Sequence, residues 1–268
     1  MFYFLNLAMI IASVCTIPGR AESLFKVLGS LLEQTVLPNS LLISVSDFYP
    51  RNEKYFPKED LARIEKFIET YPIPSQIVKD NVDIGSCKKL LSPINHVDTK
   101  NGDLIFTFDD DALLTNRAIE SLVSAWEKNP NAVYSIMGHR EESYIHQERI
   151  DSSAFDYFVV DIVGGYRGVL YPVNLIEKDE FISYIQEMID LHKSQNLIAM
   201  HDDHIFSYFF KMKKIERRVA PFLEKRFFID YRNIENSDGI TVDKNTVLSM
   251  NIIKNYFSNN QWVIDNPY

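Results

Sequence analysis

Two cysteines in 268 residues, Cys15 and Cys87, are too few for the disulfide framework of a small secreted scaffold, and they lack zinc-site spacing. A reducing compartment, the cytoplasm, is the expected location. Basic residues are also in short supply. There are 28 Lys and Arg against 37 Asp and Glu, a formal charge of −9, and polyphosphate attraction needs a basic footprint. General nucleic-acid binding is thereby disfavoured, and a phosphate-bearing partner must be met locally, with a metal as the natural aid. Internal repeats and low-complexity tracts are missing, which excludes solenoids and fibrous chains. No apolar run reaches the length of a membrane span. The longest candidate, Met1 to Val14, is too short, and its first basic residue, Arg20, comes after it, the wrong order for a signal peptide. We read this run as a buried first strand, with a cleaved signal or anchor as the alternative. What remains is 46% hydrophobic and 24% charged, enough apolar material for one sizeable core or two closely joined lobes.

Hydrophobic periodicity then organises the chain. The apolar run Ile10 to Thr16 ends in Pro18-Gly19, and Leu24, Phe25, Leu28, Leu31 and Leu32 follow at helical spacing. The unit repeats as a strand over Leu41 to Val45, stopping in Ser46-Asp47, and a helix around Leu61, Ile64, Phe67 and Ile68. A short strand at Ile77 to Val78, a short helix over Ser86 to Leu91, a strong strand over Asp103 to Phe108 and a helix over Thr115 to Trp126 complete the first half. Strands alternating with helices predict an α/β fold, a mostly parallel sheet with helices on both faces. Beyond about residue 130 the pattern shifts to short aromatic-rich strands and two helices, Asp179 to Leu191 and one after His201. We expect one domain over 1–268, with a nucleotide-binding half at 1–130 and a mixed acceptor-side half at 131–268. In open parallel sheets ligands sit at the carboxyl ends of the strands, which singles out Thr16 to Arg20, Asp47, Asp83 and Asp109 to Asp111.

The sharpest local signal is the strand Leu104 to Phe108 running into Asp109-Asp110-Asp111. Residues i and i+2 on a strand share a face, so Asp109 and Asp111 project together while Asp110 points away or joins them where the strand frays. Two such carboxylates repel by about 4 kcal/mol at ~4 Å and an effective dielectric of roughly 20, a cost that a divalent cation removes. Mg2+ or Mn2+ held by one or two carboxylates, with phosphate and water completing its shell, suits this ligand supply better than an all-protein cage. A solvated acidic turn capping the next helix is the bland alternative. A haloacid dehalogenase-like phosphohydrolase with Asp109 as nucleophile is another. Leu113, where that motif wants Thr or Val, and the hundred or so preceding residues weaken it.

Three segments in order, Thr16-Ile17-Pro18-Gly19-Arg20, Asp83-Ile84-Gly85-Ser86-Cys87-Lys88-Lys89-Leu90-Leu91 and Phe108-Asp109-Asp110-Asp111, make the chain resemble glycosyltransferases of the GT-A fold, family 2-like ones in particular. Gly164-Gly165-Tyr166-Arg167-Gly168 and His201-Asp202-Asp203-His204 match that family's later acceptor-side glycines and acidic pair. The resemblance implies a Rossmann-like sheet and a metal-dependent transfer of a sugar from a nucleotide diphosphate sugar, a UDP-sugar first, to an acceptor hydroxyl with inversion. It implies Asp111 as direct metal ligand and Asp109 as ligand through water or partner of the ribose, with Asp110 suited to either role. Thr16, Pro18, Arg20, Asp47 and Asp83 would border the nucleotide, as would Lys88 and Lys89 unless those lysines form a solvated face. Asp203 is the first choice of base and Asp202 the second. The acceptor would be a glycan, a lipid-linked or a protein hydroxyl.

Other features carry weaker readings. His201-Asp202-Asp203-His204 could be a metal site of its own. The glycines could let backbone approach a sugar, or form a plain turn. Tyr166, Tyr171 and Trp126 could stack on a sugar ring or belong to the core. The basic residues Lys211, Lys213, Lys214, Arg217, Arg218, Lys225 and Arg226 could dock on an anionic membrane as peripheral contact through 211–226, or form a solvated, charge-balanced face. A catalytically dead sugar-nucleotide binding module is the non-enzyme alternative.

Overall fold

The computed structural model describes residues 8–50, 53–141, 147–151, 157–197, 200–221 and 244–259. Its elements in chain order are β1 (Ile10–Cys15), α1 (Ala21–Leu32), β2 (Ser40–Tyr49), β3 (Lys54–Tyr55), α2 (Lys58–Glu69), β4 (Ser75–Val82), α3 (Lys88–His96), β5 (Leu104–Asp109) and α4 (Ala118–Lys128). The second half continues with β6 (Ala132–Ser135), β7 (Met137–Glu141), β8 (Gln147–Asp151), β9 (Phe158–Val159), β10 (Ile162–Val163), β11 (Val169–Pro172), α5 (Lys178–Ser194), α6 (Asp202–Met212), β12 (Glu216–Val219) and α7 (Lys244–Asn259).

A nine-stranded sheet in the order β3-β2-β1-β5-β11-β6-β12-β9, with β4 also on β2, forms the centre. The pairs β4–β2, β2–β1 and β1–β5 are parallel, as is β6–β12, while β11 lies antiparallel between β5 and β6. The sheet therefore crosses residue 130 without a break. A small antiparallel sheet, β10-β7-β8, stands beside it.

The central strands are apolar on both faces because helices cover both, as expected of a parallel sheet. On β5, Leu104, Phe106 and Phe108 join the core under α1, α2 and α4, where Leu24, Val27, Leu28 and Leu31 form one helical stripe. The alternate residue Ile105 faces a second core built from α3, α5, α6 and α7 with Leu90, Phe181, Phe206, Phe209 and Phe257. Tyr171 belongs to this second core, stacked 5.6 Å from Phe210, and Trp126 packs against the first, so neither is a sugar platform.

Three element boundaries differ from the periodicity reading. β2 runs on through Ser46 and Asp47 to Tyr49, and β4 extends from Ser75 to Val82, because the two strands pair in parallel over Leu41 to Phe48. The ladder overrides the weak strand propensity of the polar residues Lys79 to Asn81. α3 continues beyond Leu91, with Pro93 inside it and buried Ser92, Pro93 and Ile94 holding the turn. Residues 1–7 of the first apolar run lie outside the described residues, and from Ile10 it is strand. No helix among the described residues is long and apolar enough to cross a membrane.

Gly168 closes a short 3₁₀ turn over Gly165–Arg167 at φ 108° and leads into β11. A Cβ there would lie 2.5 Å from the buried Phe106 ring. Left-handed backbone and overpacking act together, so Gly168→Ala is expected to destabilise the fold by about 1–3 kcal/mol, read as a fall of several degrees in Tm by circular dichroism.

Candidate active site

The carboxyl ends of β1, β4 and β5 point to one edge, where the residues that follow them meet the start of α3, the Gly165–Arg167 turn and the first turn of α6. Lys89 stands at the centre. It is 1% exposed, donates a 2.6 Å hydrogen bond to Asp109 Oδ1 and forms an ion pair at 2.6 Å with Asp202 Oδ2. The Asp202 contact is as short as the one to Asp109. The other Asp202 oxygen, Oδ1, accepts a 2.6 Å hydrogen bond from Ser86 Oγ. Asp203, the next residue, receives the Gly165 backbone N–H at 2.9 Å on Oδ1. A side chain at residue 165 would displace this cluster, because a Cβ would stand 2.5 Å from Asp203 Oδ1 and 2.8 Å from Lys89 Nζ. Gly165 thus admits the chain's own carboxylates and ammonium, whereas Gly164 and Gly168 face Met137 and Phe106.

Asp110 goes the other way. It is 4% exposed, takes 2.6 Å from Thr16 Oγ1 and 2.8 Å from Arg20 Nη1, and its carbonyl accepts from Ser23 Oγ at 2.6 Å. It parts from Asp109, which ends β5, and shares Arg20 with Asp111. Its buried contacts make it the anchor of the turn after β1, and Thr16 and Pro18 are themselves buried there. Arg20 also reaches Asp111 Oδ2 at 3.0 Å. Burial raises the Asp110 pKa while Arg20 and Thr16 pull it down, leaving it above the ordinary value.

Lys88 is buried too, 2.6 Å from Asp83 Oδ1, 2.7 Å from Ser46 Oγ and 4.9 Å above the Tyr49 ring. The solvated-face reading of Lys88 and Lys89 is therefore wrong: each is desolvated against carboxylates brought in from other strands. Asp47 neighbours Ser46 on β2, so its side chain leaves by the opposite face from the one that meets Lys88, and it is exposed. Ser46, Tyr49, Ser23 and Ser86 escaped the sequence reading. The visible hint was serines at buried strand positions, Ser13, Ser44 and Ser46, where an apolar strand has no need of them.

The acidic pair is electrically split. Burial opposes the Asp202 charge, but Lys89 beside it holds its carboxyl below the usual carboxylate range. Burial, reinforced by the Asp202 charge, pushes Asp203 well above that range. Lys89 keeps its proton more firmly than a solvated lysine, because Asp109, Asp202 and Asp203 outweigh the effect of burial. Burial also lifts the Cys15 thiol to about 12, so this residue beside the site is no nucleophile.

His201 and His204 meet each other, Nδ1 to Nδ1 at 3.1 Å, while Asp202 and Asp203 turn to Lys89 and Gly165. The four do not converge, and among the described residues no three His, Cys, Asp or Glu groups form a cage for a metal. Asp109 and Asp111 are the partly exposed acids of the trio, their side chains 33% and 21% exposed; Asp109 is paired with Lys89 and Asp111 with Arg20, so a cation completed by phosphate would meet each of them beside a basic partner.

Of the late basic residues, Lys211 pairs with Asp161 at 3.8 Å, Lys213 with Glu180 and Arg218 with Glu216, while Arg217 is buried against the Asp161 and Ile215 carbonyls. Balanced charge describes these residues. Lys225 and Arg226 lie outside the described residues.

No family model matches the chain, and no curated protein matches it in sequence. Among solved structures it is similar to the mannosyltransferase PcManGT from Pyrobaculum calidifontis, in complex with GDP-Man and Mn2+. The TM-score is 0.54 at 12% identity, over 96% of this chain and 65% of that one. The likeness shows a Rossmann-like fold of the glycosyltransferase kind. The chain spans about two thirds of the mannosyltransferase's length.

The Asp203 pKa sets a stability test. Between an unfolded carboxyl value of about 3.9 and the raised folded value, the unfolded chain has lost a proton that the folded protein keeps, so stability falls as pH rises. Asp203→Asn removes that penalty. Its Tm is expected to rise relative to wild type, and the gap to widen from pH 4 to pH 8, in parallel thermal melts.

Proposed function

We propose that the protein is a metal-dependent glycosyltransferase of the GT-A, family 2-like kind, moving a sugar from a nucleotide diphosphate sugar to an acceptor hydroxyl with inversion. The observation that carries this reading is the meeting of Asp109 with the Asp202–Asp203 pair across one buried lysine, at the carboxyl edge of a glycosyltransferase-like sheet. Donor-side and acceptor-side acids are thus neighbours, as transfer between two substrates demands.

Asp109 and Asp111 would hold a Mn2+ or Mg2+ ion, which, when bound, supplies positive charge to the departing diphosphate. Arg20 fixes Asp111 and, through Asp110 and Thr16, ties the first turn to the acidic strand end. Asp83 and Lys88 form the wall on the nucleotide side. Asp203 is the base. Its raised proton affinity suits it to take a hydroxyl proton, and the Gly165 N–H orients it. Asp202 is the counterion of Lys89, which argues against its acting as base. The base deprotonates the acceptor hydroxyl, whose oxygen attacks the anomeric carbon from the face opposite the diphosphate, so the new glycosidic bond forms as the sugar–phosphate bond breaks.

The fold likeness supports this over the haloacid dehalogenase-like phosphohydrolase, and two partly exposed carboxylates support it over a dead binding module. The neighbouring structure is a complex with GDP-Man, so guanosine as well as uridine donors belong in the first screen. The membrane-facing role of segment 211–226 has no support beyond its composition.

Two variants test the reading. Asp111→Ala is expected to lower Mn2+-dependent turnover of the matching nucleotide sugar by about 100-fold or more. For Asp203→Asn, a loss of about 10²–10⁴ in kcat with the donor-induced thermal shift intact is expected in coupled nucleotide-release assays. A panel of nucleotide sugars that neither bind nor turn over with Mn2+ present would overturn the assignment.

A further inference from the structure

The resemblance casts Lys89 as a nucleotide contact, yet its Nζ is spent inside the protein. It lies 2.6 Å from Asp109 Oδ1 at the end of β5 and 2.6 Å from Asp202 Oδ2 at the start of α6. The Gly165 backbone closes a third side, so near that a Cβ would stand 2.8 Å from the nitrogen. Asp109 is one-third exposed and Asp202 only one-tenth, so Asp109 is the partner that a solute can reach.

We propose that Lys89 is a positioning residue that competes with a divalent cation for Asp109 and transmits cation binding to the acceptor-side pair through Asp202. The proposal rests on the metal-dependent reading above. An ammonium and a divalent ion sharing one carboxylate repel each other, so a cation on Asp109 weakens the Lys89–Asp109 contact and leaves Asp202 the larger share of the lysine. Coupling of this kind is reciprocal: whatever draws Lys89 toward Asp202 favours the cation on Asp109. The contacts to Asp109 and Asp202 are equally short, and the ammonium is shared between them. Asp202 thereby gains a role apart from proton transfer, and Gly165 a reason to lack a side chain.

The test measures Mn2+ affinity directly, by electron paramagnetic resonance titration with a nucleoside diphosphate present, and needs no turnover. Lys89→Gln is expected to bind Mn2+ about tenfold more tightly than wild type and Asp202→Asn about tenfold more weakly. If the Asp202 effect passes through the lysine, adding Asp202→Asn to Lys89→Gln changes affinity by less than about twofold. A purely structural role would weaken binding in both single variants, and a simple field effect would make the two changes additive; either result overturns the proposal and leaves the transferase reading standing. Should Lys89→Gln fail to fold alone, the double variant is compared with Asp202→Asn, over which it should bind Mn2+ about a hundredfold more tightly; a gap of only about tenfold is the additive result and overturns the proposal. Wild-type protein that binds no Mn2+ with the diphosphate present overturns the proposal and the metal-dependent reading together.

Discussion

A lysine ammonium taken wholly out of water survives only where carboxylates replace its hydration, and Lys89 has that replacement in Asp109 and Asp202 at 2.6 Å each. Much of the site follows from this one constraint. Asp109 must end β5 facing α3, Asp202 must open α6 facing back, and Gly165 must pass close enough to offer its N–H to Asp203. Removing one partner of a buried pair costs more than the pair contributes, because the survivor is left charged and desolvated. The three segments are therefore held in register by electrostatics as much as by apolar packing.

The fold makes the convergence possible. Parallel strands β4, β1 and β5 deliver Asp83, Thr16, Arg20 and Asp109 to the same edge. Antiparallel β11, inserted next to β5, brings the preceding glycine turn to that edge from the other half of the chain. α6 then presents Asp202 and Asp203 in its first turn, where the helix dipole favours negative charge and offsets part of their burial. Asp202 accepts this help and stays ionised beside Lys89. Asp203, buried beside an ionised neighbour, has its proton affinity raised instead.

Much of this arrangement was legible in the sequence, and the rest was hidden for a definite reason. The alternation of strands and helices gave the sheet, and the strand-end rule picked out Thr16, Arg20, Asp83 and Asp109 to Asp111. The period of two set Asp110 apart from Asp109 but not from Asp111, because β5 ends at Asp109 and Arg20 gathers the two carboxylates that follow. What periodicity cannot carry is the burial of Lys88 and Lys89: two adjacent lysines at the start of a short helix look solvated until the carboxylates that desolvate them arrive from elsewhere. Asp109 lies 20 residues on from Lys89, and Asp202 comes from the other half of the chain. Asp47 failed in the opposite sense. It looked like a strand-end acid, but β2 continued past it, and one step of strand parity handed the inward role to Ser46. The helix over Ser86 to Leu91 runs on to His96 in the structure, and Pro93 is tolerated inside it where Ser92 and Ile94 are buried.

Charge arithmetic at the edge links these local facts to the proposed chemistry. The basic side chains that reach it are already engaged, Arg20 with Asp110 and Asp111, Lys88 with Asp83, Lys89 with Asp109 and Asp202. Carboxylates outnumber those cations, and the chain as a whole carries −9. A diphosphate approaching this rim meets net negative charge, and the bound lysines and arginine cannot turn to it without abandoning buried acids. An added divalent cation resolves the conflict, since it is attracted by the surplus carboxylates and inverts the local sign that the phosphates encounter. Under the proposed reading, donor recognition by so acidic a protein is a consequence of cation binding, and the internal ion pairs set how readily the cation is accepted.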